Sequence, residues 1–439
     1  MKRLTVCMAV CAGAVSAYGA DALRVGWAQA DITPERPVAL VGQMHKRIST
    51  GVMDPLTATA LAIEMGDEQA IMVSCDVIFT QRAIQERVRE AVRFKIAEFD
   101  TDKLILNATH THTAPGFIDS TFKGLYDVSG DEGVMKASEY AAFFVERVAG
   151  AAVRAWRGRK EAGASWALGH AVVGMNRRVH YFDGHTDMYG GTAVEGFSNI
   201  EGGEDHGVEM LFFWDGDGKL TGVAVNVACT SQETENLNEV SADFWHEVRV
   251  ELRRRLAKDL FVLPQCAAAG DQSPHYVWRS RAEAIMAERR GLSNRQEIAR
   301  RIADAVEDAA AIAAKHVETR PVFRHAVARL DLPAHSEATM PFYETDPLEG
   351  VEIHAVRLGD VVIATNPFEL FLDYGVRMKA RSPAVLTFVV QLACQNLGYL
   401  PTARAVAGGG YSADKFVVGP EGGQQLVDET VRLINGLWN

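Results

Sequence analysis

Short apolar, β-rich runs alternate with amphipathic helical stretches along almost the whole chain, and this alternation is what most constrains its fold. The runs "ATALAIEM" and "AIMVSCDVIF" flank the turn signal "GDEQ". In the next stretch, "QRAIQERVREAVRFKIAEF", apolar residues recur every four positions on one helical face: Ile84, Val88, Val92 and Ile96. Strands that alternate with helices in this way predict an α/β fold of mixed β-sheets with packed helices.

The size and charge of the chain set further bounds. Its 439 residues are 48% hydrophobic and 23% charged, which is enough for one large core. Because no long linker, internal repeat or low-complexity tract divides them, we expect residues 23–439 to form a single domain. A formal charge of −12 and a pI near 5.6 argue against nucleic acid or an anionic membrane surface as the main partner.

The first 22 residues, "MKRLTVCMAVCAGAVSAYGADA", are typical of a secretory signal peptide. They have a basic start at Lys2 and Arg3, an apolar core too short to span a membrane, and small residues near 19–22. A lipoprotein signal at Cys11 is the weaker alternative, because "MAVC" lacks the usual leucine three residues earlier. No later run offers about eighteen uninterrupted apolar residues. We therefore predict a secreted or periplasmic protein without a stable membrane span.

The cysteines outside this segment do not have the pattern of a disulfide framework. They are scattered and lie mostly in apolar runs: Cys75, Cys229, Cys266 and Cys394. Because a chain of this size does not need covalent crosslinks, we expect buried free thiols at three of these positions. Cys229 is a separate case.

Two histidines follow one of the predicted strands directly. In "KLILNATHTHTAPG", His110 and His112 are two residues apart, and side chains two apart on a strand point the same way. The ends of strands are where α/β proteins place their chemistry, and histidine is the commonest metal ligand near neutral pH. The alternative is a pair of polar residues in a surface turn. On this motif alone, both interpretations remain open.

Several other polar clusters follow apolar strands, and their order resembles the neutral, non-lysosomal ceramidase family from near residue 24 to the end of the chain. The stretches that carry the resemblance are "VGWAQADITP", "DPLTATALAIE", "VSCDVIF", "ATHTHTAPG", "NRR" at 176–178, "AAGDQSP", "NPFELFLDYG" and "LGYLPT". The His-Thr-His and Gly-Asp-x-Ser-Pro elements are the most specific of these. The resemblance implies a ceramidase-like catalytic domain.

The resemblance also implies a zinc ion with four ligands: His110, Cys229, Glu369 and Tyr399. The cysteine is a departure, because the family has a histidine in a His-x-Thr-Ser stretch where this chain has "ACTSQ". Thiolate and imidazole both bind zinc, but the added negative charge would weaken the metal as a Lewis acid. The alternative is that Cys229 is a small buried apolar residue after a strand.

Ser273, in "GDQSPH", matches the family's catalytic serine. It would attack a carbonyl or bind the polar head of the substrate; alternatively, it only prepares the turn before Pro274. Since no base is visible beside it, the preferred mechanism is metal-activated water attacking an amide or ester carbonyl. Zinc would stabilise the oxyanion, with three further donors: His112, Arg177 and Tyr399. A serine acyl-enzyme is the second possibility.

Some residues near these motifs are expected to support them. Asp271 would orient the loop of Ser273, and Glu233 and Asp243 lie near the loop of Cys229. Four further histidines match no role in the family: His180, His185, His206 and His246.

The function predicted from the sequence is thus a secreted, zinc-dependent hydrolase of an amide (N-acyl) bond, and the resemblance implies N-acylsphingosine, a lipid amide, as its substrate. An esterase or deacylase acting on a polar substrate such as an acylated sugar is an alternative. Three features favour this polar substrate: Cys229, the polar and aromatic stretch "GMNRRVHYFDGHTDMYGG", and the lack of room for the family's C-terminal immunoglobulin-like domain after "RLINGLWN".

Two non-ceramidase alternatives are weaker. A non-catalytic exported binding protein of the same fold would not be expected to retain five separated site residues: His110, His112, Ser273, Glu369 and Tyr399. A metal-dependent amidohydrolase on a TIM barrel also uses a strand-end His-x-His, but the further strand-end histidines and aspartates of that class are missing.

Overall fold

The computed structural model describes residues 22–119, 124–335 and 345–439. The predicted signal peptide, residues 1–22, lies outside this part of the chain except for its last residue. Within the described ranges, we find no helix with the length and hydrophobicity of a membrane-spanning segment.

The strands of the described residues are, in chain order, β1 Arg24–Asp31, β2 Ala39–Leu40, β3 Arg47–Ile48, β4 Gly51–Val52, β5 Thr57–Met65, β6 Glu68–Cys75, β7 Leu104–Ala108, β8 Lys160–His170, β9 Met175–Asn176, β10 Arg178–Tyr181, β11 Thr186–Met188, β12 Phe197–Ile200, β13 Gly207–Asp215, β14 Leu220–Val227, β15 Glu239–Val240, β16 Phe261–Cys266, β17 Gln272–Ser273, β18 Phe323–Leu330, β19 Val351–Leu358, β20 Val361–Thr365, β21 Glu369–Leu370, β22 Leu386–Val390 and β23 Tyr399–Leu400. The α-helices are α1 Arg82–Arg93, α2 Ala137–Arg157, α3 Phe244–Arg255, α4 Ser280–Arg290, α5 Asn294–Ala313, α6 Leu372–Arg381, α7 Ala403–Gly408 and α8 Pro420–Gly436.

Eight strands form the larger sheet, in the order β16-β14-β13-β8-β1-β5-β6-β7. Its pairs are antiparallel except for β6 with β7 and β14 with β16. The turn signal "GDEQ" is confirmed as a hairpin, since Met65 of β5 pairs with Glu68 of β6 across it. The sheet curls until its two edges approach: the Ser74 hydroxyl of β6 donates to the Pro264 carbonyl of β16 at 2.5 Å.

A second sheet, β18-β19-β20-β22, packs face to face against the larger one. The residues between the two sheets are apolar and buried, among them Leu61, Leu211, Phe213, Leu263, Val356, Ile363 and Phe388. Because alternate side chains of a strand point to opposite faces, each sheet must bury its second face as well.

Helices cover those outer faces. On the larger sheet α1 and α2 cover one half and α3 and α5 the other, while α6 and α8 pack against the smaller sheet and its connections. The result is four layers, helices–sheet–sheet–helices, which confirms the predicted mixed α/β class. The start of α5 follows from its local sequence, because Ser293 and Gln296 form a reciprocal capping box.

The curl of the larger sheet positions the polar loops. The loop after β7, which carries His110 and His112, lies beside the loops after β14 and β16; the Ser231 hydroxyl, for example, donates to the Thr109 carbonyl at 2.8 Å. Two short ladders join the remaining loops at the same place. In one, β17 pairs with β9, and in the other, β21 pairs in parallel with β23.

Candidate functional site

His110 lies just beyond the end of β7, in a backbone conformation that histidine adopts infrequently. Its φ is 66°, in the left-handed region, which costs a non-glycine residue roughly 1–2 kcal/mol. Two bonds hold it there: its backbone N–H donates to the Val77 carbonyl at 3.0 Å, and its ring Nδ1 lies 2.7 Å from the Ile78 carbonyl. Because a carbonyl only accepts hydrogen bonds, Nδ1 carries the proton and Nε2 offers a lone pair.

Two acceptor atoms face the Nε2 lone pair of His110. Glu369 Oε2 lies 3.4 Å away and His112 Nε2 lies 3.3 Å away. His112 Nε2 itself receives the side-chain amide of Gln232 at 3.1 Å, so it too is an acceptor. The predicted convergence of the two imidazoles is therefore present, although the left-handed turn at His110 produces it rather than the period of a strand.

Glu369 reaches this place through the short ladder of β21 with β23. Glu369 pairs directly with Tyr399 in the parallel register, and its backbone N–H donates to the Gly398 carbonyl at 2.9 Å. Gly270 packs against the same backbone: a Cβ at that position would lie 2.3 Å from the Glu369 carbonyl oxygen. His110 thus faces Glu369, and Tyr399 lies beside Glu369 in the ladder.

Cys229, the fourth predicted ligand, points elsewhere, and that prediction is corrected. The side chain is fully buried in an apolar cluster with Phe244 and Trp245, and its Sγ lies 3.3 Å from the Val173 carbonyl. Within the described residues, Cys229 does not join His110 and Glu369 in a group of ligand atoms within 4.8 Å of one another. Burial also raises the pKa of the Cys229 thiol well above its usual range, which keeps it protonated.

The register of the motif explains this outcome. Aligned on Thr230 and Ser231, the histidine of a His-x-Thr-Ser stretch falls on Ala228 and not on Cys229. A methyl group cannot coordinate a metal. The candidate ligands that remain are His110, Glu369 and Tyr399, and three protein ligands are common in catalytic zinc sites.

Arg177 places a fixed positive charge beside this group. It is buried, and its Nη2 donates to the Gly270 carbonyl at 2.9 Å and to the Tyr399 hydroxyl at 3.2 Å. Burial alone lowers the pKa of Arg177, but the neighbouring Tyr399 and Tyr189 raise it more, so the net pKa is above its ordinary value. The guanidinium therefore holds the phenol oxygen of Tyr399 in place at the cavity.

Ser273 lies nearby but is fully buried beneath Tyr189. The Tyr189 hydroxyl donates to Ser273 Oγ at 2.8 Å, and the backbone N–H of His275 donates to it at 3.1 Å. Both lone pairs of the serine are thus in use. Among the described residues, no imidazole or carboxylate accepts the Ser273 proton, so the hydroxyl remains free to donate.

Asp271 orients this loop as predicted: its two oxygens accept from the Leu372 backbone at 2.9 Å and the Asn176 amide at 3.0 Å.

A cavity of about 620 Å³ opens above these groups. Most of its lining residues are of polar or charged types, among them His112, Arg177, Tyr189, Gln232, Glu235 and Tyr399. Tyr189 is 37% exposed and adopts a left-handed φ of 56°, so a strained backbone position covers the serine at the wall of the cavity.

No family model matches the chain, and no curated protein matches its sequence. Solved structures do match its fold. A crystal structure of neutral ceramidase from Pseudomonas aeruginosa superposes with a TM-score of 0.73 at 17% sequence identity, covering 95% of this chain and 75% of that one. A ceramidase complexed with C2 gives 0.73 at 16% identity, with the same coverage. The fold is that of the neutral ceramidases. The resemblance found in the motifs is confirmed at the level of the fold.

The ceramidase fold of this chain also contains a second group of metal-binding residue types, away from the cavity. Glu352, His354 and Cys394 are all buried, with ligand atoms within 4.8 Å of one another. His354 Nε2 lies 2.8 Å from Glu352 Oε1, and Cys394 Sγ lies 3.7 Å from His354 Nε2. Arg89 binds the carboxylate of Glu352 through two nitrogens, at 2.5 and 3.0 Å.

Three residues that line the cavity of this ceramidase fold, Tyr189, Gln232 and Glu235, were missed at the level of the sequence, as was His275, which contacts Glu235. Gln232 and Glu235 lie in the polar loop "TSQETEN", and His275 ends "GDQSPH", so the loops themselves carried a signal. Which side chain of a loop turns inward is not encoded in its polarity. The other two expected supporting residues lie close by: Glu233 is 3.7 Å from His275 Nδ1, and Asp243 accepts from Thr234.

Proposed function

We propose that this chain is an exported, metal-dependent hydrolase of N-acyl amide bonds, with a lipid amide of the kind its solved neighbours are named for as substrate. The observation that carries the proposal is the 3.4 Å separation of His110 Nε2 from Glu369 Oε2. Export rests on the signal-like segment of residues 1–22.

The donor set fits a divalent metal. Two ligands at zinc distances of about 2.0–2.1 Å in tetrahedral geometry are roughly 3.3 Å apart, which matches the separation of His110 Nε2 from Glu369 Oε2. The Ile78 carbonyl fixes the tautomer of His110, as partners of metal-binding histidines generally do. His110, Glu369 and Tyr399 would hold the ion. Bound there, zinc would supply Lewis acidity toward a carbonyl oxygen and lower the pKa of a water molecule.

The remaining groups of the cavity have separate tasks in this proposal. Arg177 and Tyr399 would donate to the negative charge that develops on the amide oxygen, because both are fixed in place before the substrate arrives. His112 Nε2 accepts the Gln232 amide in the free protein, and it would take a proton from the attacking water once that amide moves aside. It would then return that proton to the leaving nitrogen as the C–N bond breaks.

Ser273 fits a binding role better than that of a nucleophile. A nucleophilic serine requires a base for its proton, whereas both lone pairs of Ser273 Oγ accept hydrogen bonds and its proton has no acceptor among the described residues. Once Tyr189 moves aside, its free O–H would donate to a polar group of the substrate. This argues against the acyl-enzyme alternative.

The test is a substrate screen on the purified protein with N-acylsphingosines, N-acyl amino acids and acylated sugars, each with and without a chelator. We expect chelator-sensitive release of the amine from an N-acylated lipid, and His110→Ala should reduce it by about a thousandfold or more. Turnover that survives both the chelator and His110→Ala would overturn the metal mechanism. Turnover of acylated sugars alone would overturn the amide assignment, and a saturable ligand without turnover would indicate a binding protein.

A second variant addresses the serine. Ser273→Ala should cost about 10- to 100-fold in kcat, the loss of one positioned donor, and no acylated protein should accumulate during turnover. A loss of about 10⁴-fold or more, together with an acyl adduct in the mass spectrum of the wild-type protein, would instead support the acyl-enzyme.

A further inference from the structure

Glu235 lies between two imidazoles at the wall of the cavity. Its Oε2 is 3.4 Å from His112 Nδ1, and its Oε1 is 3.1 Å from His275 Nε2. Neither Glu235 nor His275 belongs to the motifs that carry the ceramidase resemblance. The arrangement places one carboxylate behind the imidazole that faces the reacting groups.

The tautomer of His112 follows from its other neighbour. The Thr230 hydroxyl donates to Gln232 Oε1 at 2.5 Å, so the amide of Gln232 presents its N–H to His112 Nε2. In the neutral ring Nε2 is then the acceptor, and Nδ1 carries the proton. Nδ1 is buried without a hydrogen-bond partner of good geometry, and the carboxylate of Glu235 is the acceptor that faces it. Such contacts are often long before substrate binds and shorten in the complex.

The surroundings keep both partners in place. Gly42 adopts a φ of 120°, and a Cβ there would lie 2.6 Å from the His112 ring, so only glycine leaves room for this ring position. On the other side, His275 lies between Glu235 and Glu233; burial lowers the pKa of His275, but the two carboxylates raise it more, so the net pKa is above its ordinary value. The His275 ring thereby holds one oxygen of Glu235, and the other oxygen, which also accepts from Gln232 Nε2 at 3.4 Å, faces His112.

We propose that Glu235 is a positioning residue that acts through His112, an inference that rests on the proposed hydrolytic function. The carboxylate accepts the Nδ1–H of His112 and thereby fixes the ring and its tautomer. When a water O–H bond breaks and its proton forms a new bond to Nε2, the carboxylate faces the resulting imidazolium. When the amide C–N bond breaks, the same proton moves from Nε2 to the leaving nitrogen, and His112 returns to its starting state.

The kinetic test is Glu235→Gln, which keeps the size of the side chain but removes its charge. We expect kcat to fall by roughly 10- to 100-fold, the usual cost of losing a supporting partner, with KM and bound metal little changed. Glu235→Asp should recover part of the loss. Glu204→Gln is the matched control, because Glu204 also pairs with a histidine, His206, at 3.1 Å but does not line this cavity. That control should keep its kcat within about twofold.

A double-mutant cycle separates positioning from a general structural effect. In a His112→Ala background, Glu235→Gln should cause little further loss, because the residue through which it acts is gone. An equal loss in both backgrounds, or a rise in KM alone, would overturn the proposal.

A spectroscopic readout keeps the test independent of turnover. The ¹⁵N shifts of the His112 ring should report a proton on Nδ1 in the wild-type protein and a mixture of tautomers in Glu235→Gln. A wild-type ring protonated on Nε2 would overturn the positioning role even if the protein is an amidase. An Nδ1–H ring in a protein that hydrolyses no amide would overturn the proposed function and leave the contact itself established.

Discussion

Among the described residues, the imidazoles and carboxylates beside the cavity and those of a fully buried group are satisfied in different ways. Beside the cavity, His110 Nε2 offers its lone pair toward Glu369, while His112 Nε2 accepts the side-chain amide of Gln232. In the buried group, every ring nitrogen has a partner. His325 Nδ1 meets the Gln69 carbonyl at 2.9 Å, its Nε2 meets His354 Nδ1 at 3.0 Å, and His354 Nε2 meets Glu352 at 2.8 Å.

This difference teaches that ligand types alone do not identify a metal site. Glu352, His354 and Cys394 have the residue types and the spacing, yet their donor atoms are already engaged with one another, and Arg89 neutralises the carboxylate. In the cavity group, the lone pair of His110 Nε2 faces two acceptor atoms and meets no donor among the described residues. We therefore interpret the buried group as a polar crosslink between the larger sheet and β19, and we keep the cavity group as the proposed metal centre.

The substitution with the largest expected effect, at Glu369, tests this comparison directly. Glu369→Gln should lower the bound zinc to well below one equivalent and reduce amide turnover by about a thousandfold or more, since it removes both a ligand and a negative charge. Metal analysis after dialysis, together with the turnover assay, measures both quantities.

The matched control is His354→Asn in the buried group, which should retain the metal of the wild-type protein. If His354→Asn abolishes zinc binding and Glu369→Gln does not, the two assignments are reversed.

A second effect concerns stability. Arg89→Met leaves the buried Glu352 carboxylate without its main partner, so it should lower the free energy of unfolding by roughly 3–5 kcal/mol, measured by chemical denaturation. Amide turnover per folded molecule should not change, because Arg89 does not line the cavity. The double variant Arg89→Met/Glu352→Leu should be less destabilised than Arg89→Met; a larger loss would contradict the ionic crosslink.

The pH dependence of stability provides a further test of the buried ionic group. Burial raises the pKa of Glu352, but hydrogen bonds from His354 and Arg89 lower it more, so its folded pKa lies well below the ordinary value of 4.5. Between the two values the unfolded chain binds a proton that the folded chain does not, and stability therefore rises with pH. Acidification from pH 6 to 3 should remove on the order of 2 kcal/mol from the wild-type protein through this group, and Glu352→Gln should lack that portion. Parallel unfolding curves for both proteins over this range would contradict the shift.

The smallest expected effect concerns Cys229. Cys229→Ala should leave bound zinc and turnover unchanged and lower the free energy of unfolding by about 1 kcal/mol, because it removes one buried atom from a packed cluster. Loss of stoichiometric metal in this variant would restore the cysteine as a ligand and contradict the position of its sulfur.

Much of the fold was predictable because its signals are local. The hairpin at "GDEQ" needs only a turn between two apolar runs, and the capping box of Ser293 and Gln296 needs only residues three apart. The layering of the two sheets was not accessible in the same way. Which strand faces which depends on the curl that brings Ser74 to Pro264, two residues 190 positions apart.

The same distinction between local signals and long-range packing applies to the candidate site. His110, Glu369 and Tyr399 followed from motifs, whereas Cys229 was placed one residue out of register, and the direction of its side chain follows from packing against Phe244 and Trp245. Glu235 and Tyr189 gave no signal of their own, because a polar loop does not reveal which of its side chains turn toward a cavity. Their positions result from the folded backbone, including the left-handed residue at 189.

The left-handed backbone at His110 has a consequence for engineering the stability of this protein. Glycine would occupy that position with less strain, so a search for thermostable variants that ignored activity would be drawn to His110→Gly. Such a variant would relieve the backbone strain and lose the imidazole on which the proposed chemistry depends. Selection for catalysis and selection for robustness therefore pull in opposite directions at this one residue.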